Sequence, residues 1–235
     1  MRFRFVILSA ALLLIGTAFF SIPLSRRVFH ASRRECVVVI IDAGHGGEDG
    51  GAVGGDGTLE SEINLAIALR LDQLLGLCGI SAVLTRDSAE LIYPDTAVTI
   101  REKKRADQEY RVSLVNRTEG AILLSIHQNK YSSPGPRGAQ VFYGKVDGSE
   151  ELAKVVQDKL TTLCGDHRKA APISPEIYLM REVHCPAVLV ECGFLSNPEE
   201  LALLNAEAYR TKLALAISAA CISHYDELES VYGKS

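Results

Sequence analysis

Four side chains carry the chemistry this sequence can do: His45, Glu60, His127 and Glu191. His45 sits in Asp42-Ala43-Gly44-His45-Gly46-Gly47, where the glycines let the backbone turn tightly and leave the imidazole uncovered. His127 directly follows the apolar run Ala121 to Ile126, and Glu191 directly follows Pro186 to Val190. Two imidazole nitrogens and a carboxylate oxygen make a common open zinc site, with water in the remaining position. A further carboxylate that binds no metal can act as general base and then as general acid. His45, Glu60 and His127 fill the ligand roles, and Glu191 fills the last. Glu62 is the alternative to Glu60, which would also suit the helix dipole as a plain first-turn acid.

Bringing four residues so far apart in sequence to one place is a task for the fold. Val37 to Ile41 is a continuous β-branched run, the pattern of a strand buried on both faces. After Glu60, Ile63, Ile67, Leu71 and Leu74 recur at about one helical turn, and Gly76 and Gly79 end the helix. Ile80 to Thr85 reads as a strand, 87–99 as a loop around Pro94, and Ile100 to Asn116 as a charged helix with Val112 and Val115 inward. Ala121 to Ile126 and Pro186 to Val190 are further buried strands, with a strand at Gly138 to Tyr143, a helix at Glu150 to Leu163 and a short strand at Ile177 to Met180. Asn197-Pro198-Glu199-Glu200 has a cap, a first-turn proline and acids at the positive end of the dipole. A last helix covers roughly Tyr209 to Leu228.

Strands alternating with helices predict a single α/β domain, its largely parallel central sheet flanked by helices on both faces. In such sheets functional groups gather beyond the carboxyl ends of the strands. His45, His127 and Glu191 each follow a separate predicted strand, and Glu60 opens the helix after the first, so all four reach one edge.

The chain has 235 residues, 47% hydrophobic and 23% charged. Its net charge of −4 gives no case for nucleic acid, which needs a basic stripe or patch. The partly basic run Arg101 to Arg111 is interrupted by acids and reads as a solvated helix face. Residues 1–24 differ: Arg2 and Arg4 precede an apolar run about as long as the ~20 residues that cross a bilayer. We expect an uncleaved signal anchor with a short linker over 1–35 and the catalytic domain over 36–235, which makes the protein exported and membrane-anchored or extracytoplasmic. Cleavage after Ala18 is the alternative. The six cysteines, at 36, 78, 164, 185, 192 and 221, lack framework-like spacing, and most read as unpaired. Cys192 beside Glu191 has no histidine placed to activate it and reads as core.

Together, Asp42 to Gly47, Glu60 before Asn64-Leu65, Thr85-Arg86, Ser125-Ile126-His127 and Pro186 to Asn197 resemble the zinc-dependent N-acetylmuramoyl-L-alanine amidases. The resemblance runs from about Val37 to the C-terminus. It implies that His45, Glu60 and His127 hold zinc, that Glu191 is catalytic, and that the bond cut joins N-acetylmuramic acid to the L-alanine of the peptidoglycan stem peptide. Gly51 to Gly55, the Arg101 to Asn116 helix, Gly138-Ala139-Gln140, Ile177 to Met180 and the single N-terminal apolar segment extend the likeness to the spore-cortex amidase, which prepares muramic acid for muramic-δ-lactam formation. The implied partners are peptidoglycan, in the cell wall or the spore intermembrane space, and the membrane through the N-terminal segment; no protein partner is specified.

Gln128 departs from the family, where small or apolar residues are commoner, and bears on the groove floor. Asp42 is expected either to orient a ligand histidine or to cap a turn, and Arg181 either to bind a substrate carboxylate or to lie on the surface. Two other functions fit the same residues: a catalytically silent relative that binds wall glycan or a partner, and a zinc peptidase acting on peptide tails. A silent relative is expected to lose a ligand or the acid, and this chain keeps all four.

Overall fold

A computed structural model describes residues 37–91, 93–165 and 167–232, with side chains described as far as residue 223. The expected anchor and Cys36 lie outside the described residues. Strands β1 (Val38–Ala43), β2 (Ala82–Leu84), β3 (Ala121–Asn129), β4 (Gln140–Tyr143), β5 (Ala171–Pro172) and β6 (Ala187–Phe194) form one sheet in the order β2-β1-β3-β6-β4-β5. β2, β1, β3 and β6 run parallel, and β4 turns antiparallel to β6 with β5 parallel beside it. The expected largely parallel α/β domain is the observed one.

β1 explains the two-sided core. Its alternate residues Val39 and Ile41 pack with Ile63, Ile67 and Leu71 of helix α1 (Glu60–Leu77). Ile40 faces the other way, into a second cluster with Val115 of α2 (Ile100–Arg117) and with Leu179 and Met180 of α4 (Tyr178–Glu182). Helices α3 (Ser149–Cys164) and α6 (Glu207–Tyr232) join the α1 side, and α5 (Pro198–Asn205) packs against β6 and α6. Asn197 caps α5 by accepting from Glu199 N and Glu200 N, as its sequence predicts.

Three expectations need correction. Ile177 to Met180 is the start of a short helix and not a strand; burying Leu179 and Met180 against the sheet from outside satisfies the same apolar residues. Val115 is inward, and Val112 packs half-buried against the same cluster, as expected. The Arg101 to Arg111 run is solvated only in part, for Arg111 is 1% exposed. β3 and β6 run past their apolar cores, so His127 and Glu191 are the late residues of strands rather than the first beyond them.

Candidate functional site

The carboxyl ends of β1, β3 and β6 meet the N-terminus of α1. His127 and Glu191 are register partners across the β3–β6 ladder, which shifts register just after them. Glu60 is the first residue of α1, where the backbone N–H donates to Ala52 O at 2.9 Å. Its buried carboxylate in turn accepts from Ala52 N at 2.8 Å and Gln128 N at 3.1 Å. Glu62, one step round the helix, is exposed and outside the cluster. Space here is tight: a Cβ on Gly44 would lie 2.3 Å from the His127 ring, and one on Gly51, with φ at +70°, 2.6 Å from Glu60 Oε2.

The Glu60 carboxylate faces two imidazoles. Oε1 lies 2.9 Å from His127 Nδ1, and Oε2 lies 3.3 Å from His45 Nε2. Neighbouring donors on a tetrahedral zinc with bonds near 2.0–2.1 Å are about 3.3 Å apart; one ligand atom from each of the three residues lies within 4.8 Å of the others, close enough to converge on one metal. Among the described residues this is the one such group. On the far side of the His45 ring, Nδ1 lies 2.9 Å from Asp49 Oδ2, and Lys104 Nζ lies 2.9 Å from that same oxygen. Asp49 thereby holds the proton on Nδ1 and leaves Nε2 to face the cluster.

Electrostatics follow from burial and these pairs. Burial opposes charge on His45, but the bonds to Asp49 and Glu60 outweigh it and raise its pKa to about 9. Burial likewise opposes ionisation of Glu60, yet the two histidines hold it well below the usual carboxylate range. Glu191 behaves differently: burial pushes it up to about 7, with Glu60 adding to the rise and the histidines pulling against it. Its Oε2 is enclosed and has no hydrogen-bond partner. A proton acceptor of that strength, on the strand position paired with His127, is suited to acid–base work near neutral pH.

The other expectations are now decided, and two residues are added. Asp42 neither touches a histidine nor caps a turn: it is buried, accepts from Thr85 Oγ1 and Ser125 Oγ, and pairs with Arg111. Gln128 points inward, its Nε2 donating to Asn64 Oδ1 at 3.1 Å, so it supports the site from below and forms no part of a groove floor. Arg181 is on the surface, bonded to Glu182. Cys192 is core, as expected, and Cys78, Cys185 and Cys221 are free thiols. Arg168, which sequence reasoning missed, stacks 4.8 Å from the Phe194 ring centroid and donates to Gln140, the strand partner of Glu191. Asp49 was missed too, though its place four residues after a candidate ligand was a usable signal.

The family model for N-acetylmuramoyl-L-alanine amidases matches residues 39–223, a span that holds every residue of the cluster. The chain belongs to that family. As a peptidoglycan amidase, it is 37% identical to the germination-specific N-acetylmuramoyl-L-alanine amidase of Bacillus subtilis, over 81% of this chain and 80% of that one. Among solved structures, the CwlD amidase of Clostridioides difficile, in complex with the GerS lipoprotein, superposes with a TM-score of 0.76 at 37% identity, covering 81% of this chain and 98% of that one. The catalytic domain of the CwlV amidase from Bacillus (Paenibacillus) polymyxa gives 0.70 at 29% identity, with 81% and 98% covered. The His45, Glu60 and His127 cluster of this amidase is consistent with a zinc site.

Proposed function

We propose that this amidase hydrolyses the bond between N-acetylmuramic acid and L-alanine, with His45, Glu60 and His127 as zinc ligands and Glu191 as the acid–base group. The observation that carries this is one carboxylate, Glu60, shared between two imidazole nitrogens, with the elevated Glu191 opposite His127. Bound zinc supplies Lewis-acid polarisation of the carbonyl and makes water more acidic. Glu191 accepts the proton of the attacking water and returns it to the alanine nitrogen as the C–N bond breaks, so the amine leaves neutral. A cavity of about 620 Å³ lies beyond the ends of β3 and β6, lined by Gly55, Lys130, Leu195, Ser196 and Leu201.

Similarity to a germination-specific amidase supports a role in spore cortex, where freeing muramic acid of its peptide precedes muramic-δ-lactam formation. Residues 1–35 serve as the membrane anchor and linker, and residues 36–235 as the catalytic domain acting outside the cytoplasm. The apolar N-terminal run supports that division; among the described residues no helix is long and apolar enough to cross a membrane. Mass spectrometry of peptidoglycan incubated with the protein tests the reaction: free stem peptides beginning in L-alanine are expected, and glycan strands that keep their peptides would sink the reading. Sedimentation with membranes at full mass tests the anchor, against recovery of a chain beginning at Phe19.

A further inference from the structure

Three consecutive backbone carbonyls at the site each meet a buried guanidinium. Arg86 Nε donates to Ala43 O at 2.9 Å, and its Nη2 to Gly44 O at 3.2 Å and Ser61 O at 2.8 Å. Arg111 Nη1 donates to Ala43 O at 2.8 Å and to Asp42, Nη2 to His45 O at 2.7 Å, and Nε to Asp107 Oδ2 at 2.8 Å. His45, where this series ends, is the one non-glycine residue with positive φ, 60°, among the described residues. An L residue keeps that conformation only where its surroundings over-determine it.

Arg111 is an expensive way to fill space. A buried ion pair packs no better than apolar residues of the same volume, and α2 already buries Leu114 and Val115 beside it. What an apolar residue could not supply is a donor to the His45 carbonyl from a planar fork fixed at its other end. Asp42 and Asp107 provide that fixing.

We propose that Arg111 is a positioning residue for metal binding, holding His45 O and with it the left-handed backbone that aims His45 Nε2 at Glu60. The proposal rests on the ligand set given above.

The test is zinc affinity of the full-length protein, read by competition with a chromogenic chelator, beside the melting temperature of the metal-free protein. Arg111→Lys keeps a cation near Asp42 but lacks the fork that also reaches His45 O. Its zinc affinity should fall at least tenfold, the lower end of the ~10–100-fold that supporting partners of metal ligands carry. Affinity within twofold of the parent overturns the proposal whatever happens to the melting temperature, since a purely structural role moves only the latter. Asp107→Asn, which leaves the pair with Asp42 intact, carries the same criterion at a threefold loss if Arg111→Lys does not fold. His45→Ala runs in parallel: parental zinc affinity there sinks the ligand set itself, whereas loss there with none in the arginine variant sinks only the positioning role.

Discussion

His127 and Glu191 reach the site by a different route from His45. The first two are strand residues, placed opposite each other by a parallel ladder that also forms the core. The ladder sets their backbone, and the neighbouring Ile126, Val190 and Cys192 are fully buried. His45 lies two residues beyond β1 in a left-handed conformation, on a stretch that no strand holds. Such a residue costs about 1–3 kcal/mol, and here Arg111 and Asp49 bond His45 itself while Arg86 and Asn64 bond the carbonyl of Gly44 before it. A functional group on a strand inherits its position from the fold, while one on a loop needs a dedicated polar scaffold. The loop is therefore where substitutions distant from the chemistry should matter most.

The largest effect should come from the strand side, at Glu191. Glu191→Gln removes the proposed proton acceptor and donor without disturbing the ladder, so activity should fall by ~10²–10⁴-fold or more while zinc content matches the parent. Loss of zinc in this variant would make Glu191 a ligand or a support. Stability should move the other way. The folded carboxyl is raised to about 7, against about 4.3 in the unfolded chain. Between those values the folded chain keeps a proton the unfolded chain has released, so stability falls as pH rises through that window. The metal-free glutamine variant should therefore melt higher than its parent at pH 8 and no higher at pH 4; identical melting at both would contradict the buried, uncompensated carboxylate.

Next in size is Asp42→Ala, which attacks the loop side through its scaffold. It leaves Arg111 buried beside an empty position, and breaking a buried pair in this way costs about 3–5 kcal/mol. Arg111 holds the Asp42 carboxyl below its ordinary range against the opposing effect of burial. The contribution is thus present above the unfolded value near 3.9 and is lost as pH falls through the lower folded value. Chemical denaturation at pH 7 should show the full cost, with zinc affinity falling alongside it. A stability loss below about 1 kcal/mol would mean that the charged network contributes little.

The same division explains how much of the molecule was legible in its sequence. β1, β3 and β6 announce themselves because strands buried on both faces are continuous apolar runs, and the parallel alternation with helices brings His45, Glu60, His127 and Glu191 to one edge. The scaffold was not legible, because nothing local marks a charge as buried. Arg111 sits in a run of charged residues whose other members are mostly exposed, and only the three-dimensional meeting with Asp42, 69 positions away, takes it inside. Ile177 to Met180 misled for a related reason: four apolar residues are too few to separate a strand from one helical turn.

The smallest effect tests whether that scaffold is local or diffuse. Thr99 caps α2 with a reciprocal box, its Oγ1 accepting from Glu102 N at 3.2 Å while its own N–H donates to Glu102 Oε2 at 2.8 Å. The box is exposed and lies at the far end of the helix from Leu114 and Val115. Thr99→Ala should lower stability by about 1 kcal/mol. If His45 is held by the buried fork of Arg111, a slightly weaker α2 should leave zinc affinity and turnover at parental values, because Arg111 keeps Asp42, Asp107 and the His45 carbonyl. Should zinc affinity instead track stability, falling in step with it in Thr99→Ala as in Asp42→Ala, the loop would be supported by α2 as a whole. The contrast between a ladder-held and a side-chain-held half of the site would then be one of degree.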